Sequence, residues 1–245
     1  MELAKEFAKH GHDILIVART SSKLEALKTE LEQTYQVKVE MFVADLSNED
    51  ERNQLYAYTQ NNNLEVEILV NNAGFGDSNA YLDTAWERHK NMVDLNVLAL
   101  MHLSHLYGNE MRTRGKGRIL NVASAAAFSA GPYMSVYYAS KAFVLSLGGA
   151  LHEELKGSEV TVTTLCPGPT TTDFEKNAGL ENTKMFQVVG VETAESVAKC
   201  GYKGVMKGKA VIYHGMITKW FNIISRITTR KFARVHAILP TVKVK

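Results

Sequence analysis

The stretch DILIVARTSSKLEALKTELEQTYQVKVEMFV, residues 13–43, decides the fold class of this chain. It opens with a short apolar run at Asp13–Val17, which is typical of a buried strand. A charged helix follows, for which Ser21 or Ser22 is the predicted N-cap, and an alternating strand returns at Val37–Val43. A strand, a helix and a second strand in this order form a parallel pair. The stretch therefore predicts an α/β protein.

The same alternation continues on both sides of this stretch. Further helices are predicted at Glu2–His10, Asn48–Asn62, Trp86–Arg112, Val136–Leu155 and Thr193–Met206, and further strands at Glu67–Val70, Arg118–Ala123, Val160–Leu165 and Ala210–Tyr213. Apolar strands separated by helices predict a doubly wound parallel sheet with helices on both faces. The pattern contains no linker or repeat, so we expect one domain over residues 1–215, followed by a distinct tail at 216–245.

Composition limits the class of protein. With 245 residues and 45% apolar content, the chain is long enough for one large domain with a substantial core. The two cysteines, Cys166 and Cys200, fit no metal-ligand spacing, so we predict no metal site and a reducing compartment. The sequence has neither a leader pattern nor about 18 uninterrupted apolar residues. These features predict a cytoplasmic protein.

Charge is unevenly distributed along the chain. The net charge of +2 combines 28 basic and 26 acidic residues, but all 26 acidic residues lie within positions 1–195. Residues 196–245 carry 11 Lys or Arg and no acid, so they contribute +11, and the first 195 residues contribute 17 − 26 = −9. Such segregation indicates that the basic end faces something anionic.

Three residues in the second half of the chain have the chemistry of a proton-transfer site. Tyr137 and Lys141 are four apart on a predicted helix and therefore project from one face. An ammonium beside a phenol favours the phenolate, which lowers a pKa that starts near ~10. Ser124 follows a predicted strand, at the edge of a parallel sheet where ligands gather, and its hydroxyl can hydrogen-bond a substrate oxygen.

Taken singly, each of these residues has an ordinary structural explanation, such as a helix face, a cap or a turn. Taken together, they resemble the short-chain dehydrogenase/reductase superfamily in order and in spacing. The shared pattern is Asn71-Asn72-Ala73-Gly74, Asn96 within DLNV, Ser124, a twelve-residue gap, Tyr137-Tyr138-Ala139-Ser140-Lys141 and Pro167-Gly168. The resemblance runs from Glu2 to about Tyr213 and implies a Rossmann-like fold and an oxidoreductase of carbonyl and hydroxyl groups.

The resemblance assigns catalytic roles to four positions. Tyr137 would be the general acid in reduction and the general base in oxidation, while Lys141 would lower its pKa and bind the nicotinamide ribose. Ser124 would hold the substrate oxygen, and Asn96 would anchor a water of the proton relay. Tyr138 is the competing phenol, but the twelve-residue gap from Ser124 selects Tyr137.

The resemblance also implies cofactor contacts. The residues matching the family's cofactor-binding positions are Asp45, Asn72, Ala73, Gly74, Tyr137, Lys141, Pro167, Gly168, Thr170 and Thr172. At the end of the first apolar run, an acidic residue would select the free ribose hydroxyl of NAD. This chain has Ala18-Arg19 instead, and arginine offers a charge-assisted fork for a phosphate. We therefore predict NADP(H).

The chain departs from the family pattern at its start. No glycine-rich phosphate turn precedes the helix at Glu2, and Gly74-Phe75-Gly76 lacks the third glycine that such a motif needs. We expect the first strand of the sheet to be missing from this chain, which leaves its two neighbours with unpaired backbone groups. An active reductase is the leading hypothesis, and a truncated or non-catalytic relative with impaired cofactor binding is the alternative.

Aromatic and aliphatic residues near the predicted site favour a lipophilic carbonyl or alcohol substrate, although they would equally well pack on one another. They are Phe128, Tyr133, Met134, Phe174, Met185 and Phe186. The tail resembles a basic amphipathic helix, with Trp220 and Ile224 on one side and Lys219 and Arg226 on the other. We expect it to pack against the sheet or a second subunit of a homo-oligomer, with peripheral membrane contact as the alternative. No nucleic-acid-binding module is apparent.

Overall fold

The structure is a computed structural model that describes residues 1–171, 174, 178–179 and 191–227, apart from the side chains of residues 217, 226 and 227. Thr172, Met185 and Phe186, which the sequence analysis singled out, lie outside the described residues, as does the tail beyond Ile227.

Helices and strands alternate along most of the described chain. In chain order the elements are α1 (Glu2–Lys9), β1 (Ile14–Ala18), α2 (Ser21–Tyr35), β2 (Val39–Val43), α3 (Glu49–Asn61), β3 (Ile68–Asn71), α4 (Trp86–Val93), α5 (Leu100–Arg114), β4 (Gly117–Val122), α6 (Ser135–Glu154), β5 (Val160–Cys166), β6 (Thr170–Thr171), β7 (Glu192–Thr193), α7 (Ala194–Met206), β8 (Val211–Tyr213) and α8 (Met216–Ile227). Short 3₁₀ helices occupy Tyr81–Asp83 and Ala125–Phe128, and a π-helical turn at Asp94–Ala99 joins α4 to α5.

The strands form parallel sheets. β3, β4, β5 and β8 lie side by side in that order, β1 pairs with β2, and β6 with β7 make a small third pair. Within the described residues, β1 and β3 are each hydrogen-bonded to a strand on one side only. The expected parallel α/β architecture is confirmed, with its main strands divided between a pair and a group of four.

Apolar clusters join these two sheets across both faces. On one face, Leu15 of β1 and Leu69 of β3 pack in a single cluster beneath α3, α5 and α6. On the other face, Ile14 and Ile68 share a cluster with Phe7 of α1 and with residues of α7. Alternate residues of each strand therefore enter opposite layers, as a sheet covered on both sides requires.

Two sequence-based details were wrong. The N-cap of α2 is Thr20 rather than Ser21 or Ser22, and the Ser21 hydroxyl donates instead to the Glu25 carboxylate at 2.8 Å. The helix predicted over Trp86–Arg112 is interrupted by the π-helical turn and continues to Arg114, where Gly115 takes a positive φ of 74° and ends it. A π-helical turn adds one residue to a single turn of the helix. The 3.6-residue periodicity of apolar positions is too coarse to show so small a change, so the sequence pattern did not predict it.

The helix α8 exposes its apolar side. Thr218 and Asn222 face the body of the protein at 1% and 9% exposure, whereas Met216 and Trp220 are 76% and 62% exposed. Of the helices described here, none combines the length and the hydropathy needed to cross a bilayer. Whether the tail meets a second subunit or a membrane surface stays a prediction.

Candidate active site

The predicted site residues gather where strands end. Asn72 follows β3, Ser124 follows β4 and Pro167 follows β5, so all three lie at the carboxyl edge of the four-stranded sheet. A hydrogen bond from the Ala125 backbone amide to the Pro167 carbonyl, 2.8 Å long, joins two of these loops. Ligands bind at this edge in open α/β sheets because loops leave the strands there in opposite directions.

The half-buried Ser124 lies beside Tyr137, and Tyr137 and Lys141 are both buried. Ser124 lies close enough to Tyr137 to lower the pKa of its phenol, and the Ser124 hydroxyl accepts the Ala126 backbone amide at 3.1 Å. Lys141 lies one helical turn along α6, with its Nζ 5.8 Å from the centre of the Tyr137 ring. Its ammonium donates to the Val122 carbonyl at 2.9 Å, which anchors α6 to the end of β4.

The ionisation of this cluster differs from the sequence-based expectation. Burial raises the pKa of Tyr137 to about 12, and the nearby Ser124 only partly opposes this. Burial also lowers the pKa of Lys141 to about 8. The expectation that the ammonium depresses the phenol pKa is wrong for this state, because burial raises that pKa and the ammonium donates to the Val122 carbonyl instead.

An aromatic ring covers the candidate proton donor. Phe174 lies against Tyr137 with their ring centres 5.1 Å apart, and Met134 and Ala178 are buried in the same cluster. Tyr137 is consequently only 9% exposed. Tyr138, the competing phenol, packs in the same cluster but turns its ring toward Gly131, where an added methyl would overlap it at 2.4 Å.

Asn96 binds the loop that follows β3. Its Oδ1 accepts the backbone amide of Phe75 at 3.0 Å, and its Nδ2 donates to the Phe75 carbonyl at 2.9 Å and to the Ser140 hydroxyl at 3.1 Å. The π-helical turn carries Asn96, which is 1% exposed, into this position. The side-chain amide therefore fixes a loop, and the structure assigns it no contact with Tyr137 or Lys141.

Residues expected at the adenosine end lie at the ends of β1 and β2. Arg19 is exposed, and its guanidinium is 3.6 Å from the Asp45 carboxylate. Burial alone would raise the pKa of Asp45, but hydrogen bonds from Ser47 and the charge of Arg19 hold that pKa below its ordinary value. An exposed arginine at the end of a strand can bind a phosphate. Its exposed ion pair with Asp45 is weak, so replacing that pair by a phosphate contact would cost little free energy.

The loops nearer the tyrosine fit close approach by a ligand. Asn72, Ala73 and Gly74 are exposed, and a methyl on Gly74 would lie 2.9 Å from the Asn96 Oδ1 and 3.5 Å from the Lys141 Nζ. Gly168 packs on Thr218 of α8, where a methyl would come within 2.9 Å of the hydroxyl. Thr170 donates to the Gly168 carbonyl at 2.9 Å. The loops that follow β3 and β5 thus leave room for a ligand only along their backbone.

The sequence analysis missed the residues that hold and flank the loop after β3. Arg88 of α4 donates to the Gly76 carbonyl at 3.4 Å and to the Asp77 carboxylate at 3.2 Å, and its guanidinium lies 4.7 Å from the centre of the Phe75 ring. In the sequence, Gly76 stood out only as part of Gly74-Phe75-Gly76, which lacks the third glycine of a phosphate-binding motif. No local pattern pairs residues 75–77 with position 88, because their contact depends on how the loop folds back onto α4.

A parallel α/β fold with polar side chains gathered at the carboxyl edge of its sheet belongs to the class of open α/β proteins, which bind ligands at that edge. The family model described as short chain dehydrogenase matches residues 1–179. This chain belongs to the short-chain dehydrogenase family.

A named relative agrees with this family membership. Human 17-beta-hydroxysteroid dehydrogenase type 3 is 34% identical over 175 residues, which are 70% of this chain and 55% of that protein. The chain thus spans about half the length of this curated relative.

Solved structures match the fold more completely. A short-chain dehydrogenase from Sphingobium yanoikuyae in complex with NADPH superposes with a TM-score of 0.82 at 27% identity, covering 92% of this chain and 87% of that one. The bulky-bulky ketone specific alcohol dehydrogenase from Comamonas testosteroni gives a TM-score of 0.79 at 26% identity, covering 92% of this chain and 85% of that one.

Proposed function

We propose that this chain is an NADP(H)-dependent oxidoreductase that interconverts a ketone and a secondary alcohol on a lipophilic substrate. The observation that carries the proposal is the pair of buried side chains Tyr137 and Lys141, one helical turn apart on α6, with Ser124 close enough to Tyr137 to lower its pKa. A protein that only bound a ligand would have no need of a buried ammonium beside a buried phenol, since both cost desolvation energy.

In the reduction direction, Tyr137 is the proton donor. A phenol whose pKa is about 12 stays protonated at neutral pH, and it can transfer its proton to the far more basic alkoxide that forms as the carbonyl is reduced. The Ser124 hydroxyl holds the substrate oxygen beside that proton and stabilises the developing charge. Loss of the proton leaves Tyr137 as a phenolate, whose negative charge the ammonium of Lys141 stabilises, and Asn96 keeps the neighbouring loop in place.

Nicotinamide, when bound, supplies or accepts the hydride. Arg19 would bind the 2′-phosphate, Asp45 the adenine, and Asn72, Ala73 and Gly74 the adenosine side. Tyr137 and Lys141 would bind the nicotinamide ribose, while Pro167, Gly168, Thr170 and Thr172 would lie along the nicotinamide and pyrophosphate. The NADPH complex of the Sphingobium yanoikuyae relative supports the choice of NADP(H).

The names of the relatives support a bulky ketone. One is a hydroxysteroid dehydrogenase and another is specific for bulky-bulky ketones. The apolar residues around Tyr137, among them Phe75, Met134 and Phe174, suit such a substrate because they bury its hydrocarbon surface. A homo-oligomer is part of the proposal, supported by the open apolar groove between α4 and α6 that Val93, Val97 and Val136 line.

Replacing one tyrosine at a time tests the proposal. With a panel of bulky ketones and NADPH, Tyr137→Phe should lower kcat at least about a hundredfold, because the proton donor is lost. Tyr138→Phe, the matched control on the next position of α6, should keep most of the activity. NADPH oxidation in Tyr137→Phe but not in Tyr138→Phe would contradict the assignment.

The alternative is a relative that retains the fold without turnover. Equilibrium binding of NADPH separates the two hypotheses. Binding accompanied by ketone reduction supports the enzyme, and the absence of both supports the non-catalytic relative.

A further inference from the structure

The loop after β3 reaches Tyr137 through direct contacts. Gly76 packs on the edge of the Phe174 ring so closely that an added methyl would lie 2.7 Å from the Cζ of that ring. Phe174 in turn covers Tyr137, with the two ring centres 5.1 Å apart. Phe75 packs against the same buried cluster that contains Tyr137. A movement of residues 75 and 76 would therefore loosen the cover over the candidate proton donor.

Arg88 of α4 holds this loop from the side that faces away from Tyr137. Its Nε donates to the Asp77 carboxylate at 3.2 Å, and its guanidinium lies 4.7 Å from the centre of the Phe75 ring. The bond to the Gly76 carbonyl is 3.4 Å long and contributes less. The Asp77 side chain is only 15% exposed. Removing the guanidinium would leave a partly buried carboxylate without its counter-charge, which costs more than breaking a pair on the open surface.

Asn96 limits how far such a change can spread along the loop. It binds both backbone polar groups of Phe75, at 3.0 and 2.9 Å. This clamp stands between residues 72–74, which are expected to bind the cofactor, and residues 76 and 77, which Arg88 holds. Loss of Arg88 should therefore let Gly76 and Asp77 move toward solvent while residues 72–74 stay in place.

We propose that Arg88 is a positioning residue for the reaction at Tyr137, an inference that rests on the proposed function. The guanidinium holds Asp77 and Gly76 beside α4, Gly76 supports the Phe174 ring, and the ring keeps Tyr137 covered and in one position. Arg88 thus acts through the loop and the ring and takes no part in the proton transfer itself. A small displacement of a proton donor is enough to lower a rate, because the reacting atoms must meet at close range.

Kinetics with a bulky ketone separate positioning from cofactor binding. Arg88→Gln should lower kcat about tenfold, because the loosened cover lets Tyr137 leave its alignment with the substrate. The Kd for NADPH should change less than about threefold, because the clamp on Phe75 keeps the cofactor-binding residues in place.

Lys90→Gln is the matched control for these measurements. It removes a cation from the same helix, and the partner of that cation is the carboxylate of Asp94, 2.6 Å away and 14% exposed, much like that of Asp77. The control variant should change neither kcat nor the Kd. Equal losses of kcat in Arg88→Gln and Lys90→Gln would overturn the inference.

A second substitution tests whether Arg88 works through its pairing with Asp77. Adding Asp77→Asn to Arg88→Gln removes the uncompensated carboxylate and leaves two amides that can hydrogen-bond each other. The double variant should therefore recover a kcat within about threefold of the wild type. A double variant that is as slow as Arg88→Gln alone would contradict the proposed route.

Nitration by tetranitromethane, mapped by mass spectrometry, tests the cover over Tyr137 without any turnover. Tyr137 is 9% exposed, and its nitration should be at least about threefold faster in Arg88→Gln than in the wild type. Tyr107, which is 3% exposed in the cluster beneath α3 and α5, is the internal control and should react equally in both proteins.

The nitration experiment also separates this inference from the proposed function. Faster nitration of Tyr137 in Arg88→Gln, without ketone reduction by the wild type, supports the positioning by Arg88 and refutes the enzyme. Ketone reduction by the wild type, with both kcat and nitration unchanged in Arg88→Gln, supports the enzyme and refutes the positioning.

Discussion

At the scale of single residues, the site buries two ionisable side chains whose charged forms are disfavoured by burial. Tyr137 and Lys141 are both buried, and burial moves each pKa toward the neutral form of its group. At neutral pH the buried ammonium of Lys141, beside Tyr137 at the end of β4, destabilises the folded state. Such a cost is typical of positions that are selected for function rather than for stability.

Lys141→Met should therefore stabilise the protein at pH 7, by about 2 kcal/mol after the lost hydrogen bond to Val122 is counted. The folded pKa of Lys141 is about 8 and the unfolded value is 10.5, so between these pH values the unfolded chain holds the extra proton. The stability of the wild type relative to Lys141→Met should then rise between pH 8 and 10.5. Urea unfolding of both proteins from pH 7 to 9.5 measures this.

Lys199→Met is the control for that experiment, because Lys199 is exposed on α7. As a substitution on an exposed surface, it should change the free energy of unfolding by no more than about 0.5 kcal/mol. A gap between the wild type and Lys141→Met that stays constant over the same range would show that Lys141 does not titrate as the structure indicates.

Arg19 carries the prediction on cofactor choice. Arg19→Gln should raise the Kd for NADPH by about tenfold, the loss expected for one charge-assisted phosphate contact, and leave the Kd for NADH nearly unchanged. Fluorescence titration with both nucleotides measures this, with Lys9→Gln on α1 as the control. Equal weakening of both nucleotides would assign Arg19 a structural role.

At the scale of elements, the helix α6 packs closely against the sheet and so places Tyr137 and Lys141 beside it. It carries Tyr137 and Lys141 near its start and Gly148 further along, where it crosses the strand β5. A methyl on Gly148 would overlap the buried Thr164 hydroxyl at 2.0 Å, whereas Gly149 faces open space. Glycine at position 148 thus sets how closely the helix that carries Tyr137 and Lys141 approaches β5.

Gly148→Ala should lower the free energy of unfolding by about 1–3 kcal/mol through overpacking. Gly149→Ala should raise it by up to about 1 kcal/mol, since alanine is the better helix former and meets nothing. Denaturant melts of the two adjacent variants measure the contrast. Similar stabilities would mean that α6 has room to shift away from the sheet.

The sequence predicted these elements well, because apolar periodicity and parallel-strand patterns are local signals. It did not predict the π-helical turn at Asp94–Ala99 or the short strands β6 and β7, which depend on contacts with distant residues. The candidate cluster was found through the spacing of Ser124, Tyr137 and Lys141, whereas the contact of Phe174 with Tyr137 needed coordinates.

At the scale of the whole molecule, two sheets share their apolar layers without sharing hydrogen bonds. β4 and β5 have a partner strand on each side, but β1 and β3 are paired on one side only within the described residues. The clusters beneath α3, α5 and α6 hold the two sheets together instead. Side-chain packing, rather than backbone hydrogen bonds between strands, connects the two sheets. Packing of this kind protects individual backbone amides less than a hydrogen bond does.

Backbone amides of β1 and β3 should therefore exchange with solvent deuterium faster than those of β4 and β5. Hydrogen–deuterium exchange followed by mass spectrometry on peptides spanning these strands measures the difference. Equal protection in all four strands would mean that β1 and β3 have a second partner in solution.

The sequence by itself determined the α/β class, the order of the elements and the residues that carry the proposed chemistry, since these depend on periodicity and spacing along the chain. Only the tertiary structure decided how those residues ionise, which loop Asn96 holds and which ring covers Tyr137. Desolvation and close contact depend on atoms brought together from distant parts of the chain, so no local pattern encodes them.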